Sequence, residues 1–100
     1  MKAGSAVAVL IAAGLAHGAA IAGEDIQARS WAATCTGCHG THGKSEGRIP
    51  SIAGLPESEI VRLMLEFKEN KRAATVMHQH AKGYTDAQIQ RIAAYFAAQE

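Results

Sequence analysis

The sequence has 100 residues, of which 48% are hydrophobic, 19% charged and 5% aromatic. This length gives room for one domain, and a core so small is only marginally stable unless a further group adds buried surface. The formal net charge is +1, and no basic run exceeds the pair Lys71-Arg72, so neither nucleic acid nor an anionic membrane surface is expected as a partner.

The first 22 residues have the layout of a secretory signal peptide. Lys2 gives a positive start, residues 7–16 form an apolar run, and Ala20-Ile21-Ala22 is a small-x-small cleavage site. The apolar run is well short of the roughly 20 residues that span a bilayer, which disfavours a retained membrane anchor. We therefore expect export to the periplasm, cleavage of residues 1–22, no stable membrane insertion, and a mature domain of residues 23–100.

The first predicted helix covers residues 26–38. Asp25 suits the N-cap position, and Gly40 is a stop signal just past the helix end. The helix carries Trp31 and ends with the motif Cys-Thr-Gly-Cys-His. Residues 39–55 then contain four glycines and Pro50, a composition that predicts a loop wrapped around another group.

Two further helices are predicted from apolar stripes and end signals. The second starts near Pro56, as a first helical residue, ends near Asn70, and places Ile60, Leu63, Met64 and Phe67 on one face. Residues 71–84 are predicted to be an irregular link. The third helix opens with a capping box, Thr85 to Gln88, and repeats the stripe at Ile89, Ile92, Ala93 and Phe96. No segment alternates like a strand, so the predicted class is all-α with three main helices.

The motif CTGCHG at residues 35–40 is compatible with three kinds of chemistry. A thioredoxin-like redox pair needs its cysteines at the start of a helix, usually in a βαβ unit, whereas these lie at a helix end in a chain without strands. Cys35, Cys38 and two of the histidines would suffice for zinc, but zinc does not explain a histidine directly after the second cysteine.

Covalent haem attachment is the favoured interpretation, because C-x-x-C-H is its signature. Cys35 and Cys38 are nearly one helical turn apart, so both sulfurs point to the same side and match the two vinyl groups of one porphyrin. His39 then falls where its imidazole reaches the iron. We expect one haem c, bound through thioethers to Cys35 and Cys38, with His39 as an axial iron ligand.

The second axial ligand is predicted to be Met77. Met64 lies on the apolar stripe of the second helix, where methionine usually fills the core, and His42 is only three residues beyond His39. Met77 is far enough from His39 to reach the opposite side of the ring, and His78 and His80 are the alternative. Two protein ligands leave the iron no easy site for substrate, so outer-sphere transfer of single electrons is the expected function.

These segments resemble a class I c-type cytochrome: CTGCHG, then RIPSIAG, then TVM, then a terminal helix with AAYFAAQ. The strings CTGCHGTHGKS, EFKENKRAATVM and AKGYTDAQIQRIAAYF are similar, within that family, to the cytochrome subunits of flavocytochrome c sulfide dehydrogenases. The best-known of those subunits carry two haem domains in one chain, whereas this sequence has one attachment motif.

The resemblance implies further roles for residues and partners. It implies that the carbonyl of Pro50 accepts a hydrogen bond from His39 and orients it, and that Trp31 packs with Ile92 and Tyr95 or Phe96 where the first and last helices cross. It also implies a chain that is no enzyme by itself. Such a chain would accept electrons from a sulfide-oxidising flavoprotein subunit and pass them to a soluble acceptor, and a free electron shuttle to an oxidase or reaction centre is the alternative.

Overall fold

The computed structural model describes residues 3–4, 6 and 24–100. The predicted apolar run at residues 7–16 and the cleavage site after Ala22 lie outside these residues. The described part of the chain contains four α-helices and no β-strand, which confirms the predicted all-α class. None of the helices in these ranges has the length and apolar character needed to cross a membrane.

Helix α1 covers Ile26–His39 and is capped as predicted at both ends. The Asp25 carboxylate accepts a hydrogen bond from the Ala28 N–H over 3.1 Å, which satisfies one of the free donors of the first turn. Gly40 ends the helix with a φ of 89°, a conformation that favours glycine. The helix extends one residue beyond the predicted end, so His39 belongs to its last turn. A short 3₁₀ helix, Thr41–Gly43, follows.

Helix α2 covers Glu57–Lys68. The helix begins near Pro56 as predicted, but Pro56 is its N-cap and not its first helical residue, because its ψ of 135° is extended. The helix ends two residues before Asn70, which has a left-handed φ of 55° in the turn that follows. Ile60 and Met64 are the buried residues of the predicted apolar face.

Helix α3 covers Met77–Lys82, inside the segment 71–84 that was predicted to be irregular. The prediction was wrong for this half of the segment, for two physical reasons. Val76 makes no capping hydrogen bond with its side chain, and only Ala81 of the six residues is buried, so the sequence carries neither a start signal nor an apolar stripe. Packing against α2, rather than intrinsic propensity, therefore stabilises α3.

Helix α4 covers Asp86–Ala97 and begins with the predicted capping box. The Thr85 hydroxyl accepts from the Gln88 N–H over 3.1 Å, and the Gln88 side chain accepts from the Thr85 N–H over 2.9 Å. The helix packs against both α1 and α2. Four of its side chains are buried in the core: Ile89, Ile92, Ala93 and Phe96.

The crossing of α1 and α4 brings the two ends of the described domain together. Ala28 and Ala32 are fully buried there, which allows the backbones to approach closely. Trp31 is half-buried and packs against the core cluster that contains Ile92 and Phe96. The Arg91 guanidinium stacks 4.6 Å from the centre of the Trp31 ring. It also binds both carboxylate oxygens of Asp25 over 2.7 Å each.

Candidate functional site

A cavity of about 510 Å³ lies between the C-terminal end of α1, the inner face of α2 and the segments before α2 and α3. Its volume falls in the range of sites for small molecules and cofactors, roughly 300–1,000 Å³. Most of the side chains around it are apolar. The residues that line it are Cys35, Cys38, His39, Ile49, Pro50, Ser51, Ile52, Leu55, Glu59, Ile60, Leu63, Met64, Phe67, Arg72, Thr75, Val76, Met77, Ile92 and Phe96.

The last turns of α1 present three of the predicted site residues to this cavity, namely Cys35, Cys38 and His39. Both cysteines line this one cavity, as expected for residues nearly one helical turn apart. Neither cysteine forms a disulfide, so both thiols are free. Burial raises the pKa of the half-buried Cys35 thiol, and the neighbouring Thr34 hydroxyl offsets part of that effect.

The loop after α1 brings the Pro50 carbonyl to His39. The His39 Nδ1 atom lies 2.7 Å from this oxygen, and since a carbonyl only accepts, Nδ1 carries the proton of this bond. In the neutral tautomer with its proton on Nδ1, the other ring nitrogen, Nε2, has a lone pair available for a metal ion. Hydrogen bonds join the two ends of this loop, because the Gly43 carbonyl accepts from the Ile52 and Ala53 N–H groups over 2.8 and 3.1 Å.

Gly43 is buried and allows this loop to lie against the core. Its φ is 84°, and a Cβ atom there would lie 2.8 Å from the Phe96 ring and 2.9 Å from the Ile52 side chain. No larger residue fits without moving the loop. The sequence showed the glycine-rich composition of this segment, but composition alone did not identify which glycine makes the close contact.

Both candidate methionines line the cavity. Met77 is half-buried at the first position of α3, and Met64 is buried on α2. The three histidines beyond His39, namely His42, His78 and His80, are not among the lining residues. The His42 Nδ1 atom lies 3.2 Å from the Tyr95 hydroxyl, away from the cavity wall. Across residues 24–100, no three His, Cys, Asp or Glu side chains converge as a metal cluster, so the zinc alternative has no ligand set there.

These donors fit haem c better than the other candidate groups. Two free thiols one turn apart, an imidazole with Nε2 available and a thioether all line the same largely apolar cavity. A porphyrin is a large apolar ring that needs such surroundings, and its iron accepts imidazole and thioether ligands. All four residues of the predicted apolar stripe of α2 line this wall: Ile60, Leu63, Met64 and Phe67.

Sequence reasoning missed several residues around the opening of the cavity. Ile49 and Val76 line it and yet are 44% and 53% exposed, so they border its mouth. Arg72 and Glu59 bring charge to an otherwise apolar wall. The isolated apolar residues in the loops before Pro50 and before Met77 were the available signal for this rim.

Comparisons with known proteins agree with this site. Residues 23–99 match the family model described as Cytochrome c. The chain is 49% identical over 63 residues to the cytochrome subunit of sulfide dehydrogenase from Chlorobaculum tepidum, covering 63% of this chain and 57% of that protein. It is 34% identical over 95 residues to cytochrome c4 from Pseudomonas aeruginosa, covering 94% of this chain and 47% of that protein.

A third relative is matched over nearly its whole length. Cytochrome c-554(548) from Halomonas halodenitrificans is 33% identical over 87 residues, which cover 83% of this chain and 99% of that protein. The chain thus spans about half the length of the first two relatives and nearly all of the third. Together with the match over residues 23–99, these findings show that the chain belongs to the class I cytochrome c family of electron carriers, whose members hold haem c covalently.

Proposed function

We propose that this chain is an exported monohaem cytochrome that accepts electrons from a sulfide-oxidising flavoprotein subunit. Residues 1–22 would be removed as a signal peptide and residues 23–100 would form the periplasmic cytochrome domain. The observation that carries the proposal is the 49% identity to the cytochrome subunit of sulfide dehydrogenase. The electrons would leave to a soluble acceptor.

Four side chains would hold the haem. Cys35 and Cys38 would form the thioethers, and His39 and Met77 would be the axial ligands. Pro50 would orient His39, because the 2.7 Å bond holds the proton of the neutral ring on Nδ1 and turns Nε2 toward the metal. The bound haem supplies an iron that alternates between the ferrous and ferric states and so carries one electron at a time.

The surrounding residues would set the redox properties of the site. Ile60, Ile92 and Phe96 are buried and line the cavity, which excludes water from one side of it. A dry site and a neutral thioether ligand both favour the less charged ferrous state over the ferric state. These residues would therefore raise the reduction potential relative to a solvated site with two histidine ligands.

The rim of the cavity supports docking to a dedicated partner. Ile49, Pro50 and Val76 are exposed beside the opening, where a flavoprotein would cover them. Apolar side chains clustered at one place on the surface of a small domain are typical of a contact face. Residues 23–100 contain nine basic and nine acidic side chains. The domain therefore has no excess charge of one sign, which an electron shuttle would use to attract several different partners.

A free electron shuttle is the second candidate function. The observation that favours it is the relative from Halomonas halodenitrificans, of which the match covers 99%, because that cytochrome is about as long as this domain. A shuttle would visit its donor and acceptor by diffusion and would form no lasting complex.

The experiment is capture of the tagged holoprotein from an extract of its own cells, followed by flavin fluorescence of the captured material and a sulfide-dependent haem reduction assay. We expect a flavoprotein to be captured and sulfide to reduce the haem. A cytochrome that brings down no flavoprotein and is reduced by sulfide no faster than a chemical blank would support the shuttle.

Two surface variants make this experiment specific for the rim. Ile49→Ser with Val76→Ser should weaken capture of the flavoprotein, because both side chains border the cavity mouth. Ile26→Ser is the matched control, since Ile26 is 72% exposed and does not line the cavity. Equal capture by all three proteins would place the contact elsewhere on the surface.

A further inference from the structure

Tyr84 lies two residues after the end of α3 and contacts three helices. Its N–H donates to the carbonyl oxygen of Ala81 in α3 over 3.3 Å, and its own carbonyl accepts from Lys68 Nζ on α2 over 2.7 Å. Its hydroxyl lies 2.7 Å from Thr34 Oγ1 and 3.3 Å from the Trp31 carbonyl oxygen, both on α1. One half-buried residue thus connects α1, α2 and α3.

The hydroxyl of Tyr84 can bond to α1 through either of two groups, Thr34 Oγ1 and the Trp31 carbonyl oxygen. Thr34 Oγ1 also lies 2.9 Å from the Trp31 carbonyl oxygen, so three contacts are available to two hydroxyl protons. The carbonyl can only accept. Whichever two contacts are protonated, at least one of them joins Tyr84 to Thr34 or to Trp31. More than one arrangement of the two hydroxyl protons therefore keeps Tyr84 bonded to α1.

The short helix α3 depends on such connections. It has six residues, its N-terminus has no side-chain cap, and Ala81 is its one buried residue. Isolated helices of this length are not stable in water. Beyond the C-terminal end of α3, Tyr84 joins this helix to α1. Lys68 of α2 binds both the Tyr84 carbonyl and the Asp86 carboxylate, the latter over 2.8 Å.

The other end of the connection lies next to the cysteine motif. Thr34 directly precedes Cys35, and the Trp31 carbonyl lies one helical turn before it. We propose that Tyr84 is a positioning residue that fixes α3, and with it Met77, relative to the end of α1 that carries Cys35 and His39. The proposal rests on the proposed function through the assignment of Met77 as an axial ligand.

The test measures how often Met77 leaves the iron of the ferric holoprotein. Added imidazole binds only after the protein ligand has left, so its apparent affinity rises with the fraction of detached Met77. Tyr84→Phe removes the hydroxyl and keeps the ring. Because one hydrogen bond to α1 is lost, we expect apparent imidazole binding to tighten about fivefold.

Tyr95→Phe is the matched control. It removes a hydroxyl that lies 3.2 Å from His42 Nδ1 and makes no hydrogen bond to α3, so imidazole affinity should stay at the wild-type value. Thr34→Val removes one of the two contacts of the Tyr84 hydroxyl and leaves the Trp31 carbonyl as its acceptor, so it should tighten imidazole binding less than Tyr84→Phe does. The double variant should bind no tighter than Tyr84→Phe alone, because Tyr84→Phe already removes both contacts. Wild-type affinity in Tyr84→Phe, or an equal rise in Tyr95→Phe, would overturn the proposal.

Met77→Ala, measured in parallel, separates this proposal from the axial assignment. Unchanged imidazole affinity in Met77→Ala would overturn the assignment of Met77 and the role of Tyr84 together. A strong rise in Met77→Ala without any rise in Tyr84→Phe would leave the ligand assignment standing and overturn the role of Tyr84 alone.

Discussion

Two methionine side chains line the same cavity, and a haem iron held by His39 would take only one of them as a ligand. Met77 begins a short helix whose position depends on tertiary contacts, while Met64 is fixed in the middle of α2 and is 8% exposed. Met77 is only half-buried, so moving its side chain toward a metal would disturb the core less than moving Met64 would. Met64 already contributes to the packing between the helices.

We expect Met77→Ala to abolish the weak near-infrared band of the bond between methionine and ferric iron, and to lower the reduction potential. The physical reason is the loss of the thioether, which favours ferrous iron. Met64→Leu, which conserves volume, should keep the band and cost about 1 kcal/mol of stability. Absorption spectra of the two purified variants decide the question. A band that survives Met77→Ala and disappears in Met64→Leu would reverse the assignment.

At the scale of elements, helix ends and apolar stripes were predictable and the short helix was not. Asp25, Gly40 and the capping box at Thr85 mark their helix ends by local hydrogen bonds, which the sequence specifies within a few residues. Helix α3 has no such signal, because its stability comes from residues distant in the chain. For the same reason the sequence did not identify the individual residues of the cavity rim or the contacts of Tyr84, whereas the cysteine motif was found from its spacing alone.

The ion pair between α1 and α4 makes stability depend on pH in the acid range. The hydrogen bonds from Arg91, with a smaller contribution from the Ala28 N–H, lower the pKa of Asp25 from 3.8 to about 2. The folded protein therefore binds this proton less readily than the unfolded chain. The stabilisation is complete above pH 3.8 and is lost as the pH falls to about 2.

Asp25→Asn tests this pair while it keeps an N-cap, since asparagine caps helices as well as aspartate does. Thermal melting of the holoprotein should show a lower midpoint for the variant near neutral pH, and the difference from wild type should shrink between about pH 4 and pH 2. Glu24→Gln is the control, because Glu24 forms its ion pair with Arg29 of α1 and not with a residue of α4. A constant difference at every pH would mean that Asp25 acts only as a cap.

At the scale of the whole molecule, the core and the cavity are largely the same set of residues. Apart from four alanines, the buried hydrophobic side chains of the described residues are Ile60, Met64, Ile89, Ile92 and Phe96. All of these except Ile89 line the cavity. Most of the large apolar side chains therefore complete their packing only against a group that fills that space, and a domain this small has little other burial to stabilise it.

Folding of the domain should therefore depend on covalent haem. Cys35→Ser with Cys38→Ser removes both attachment points while it changes neither the helix ends nor the apolar stripes, so any loss of structure reports on the missing cofactor. We expect far-ultraviolet circular dichroism to show a poorly helical chain without a cooperative thermal transition. Cys38→Ser alone, which keeps one thioether, should fold and melt at a lower temperature than wild type. A double variant that is helical and melts cooperatively without haem would contradict this prediction. It would show that α1, α2 and α4 form a sufficient core by themselves and that the cavity is a preformed site.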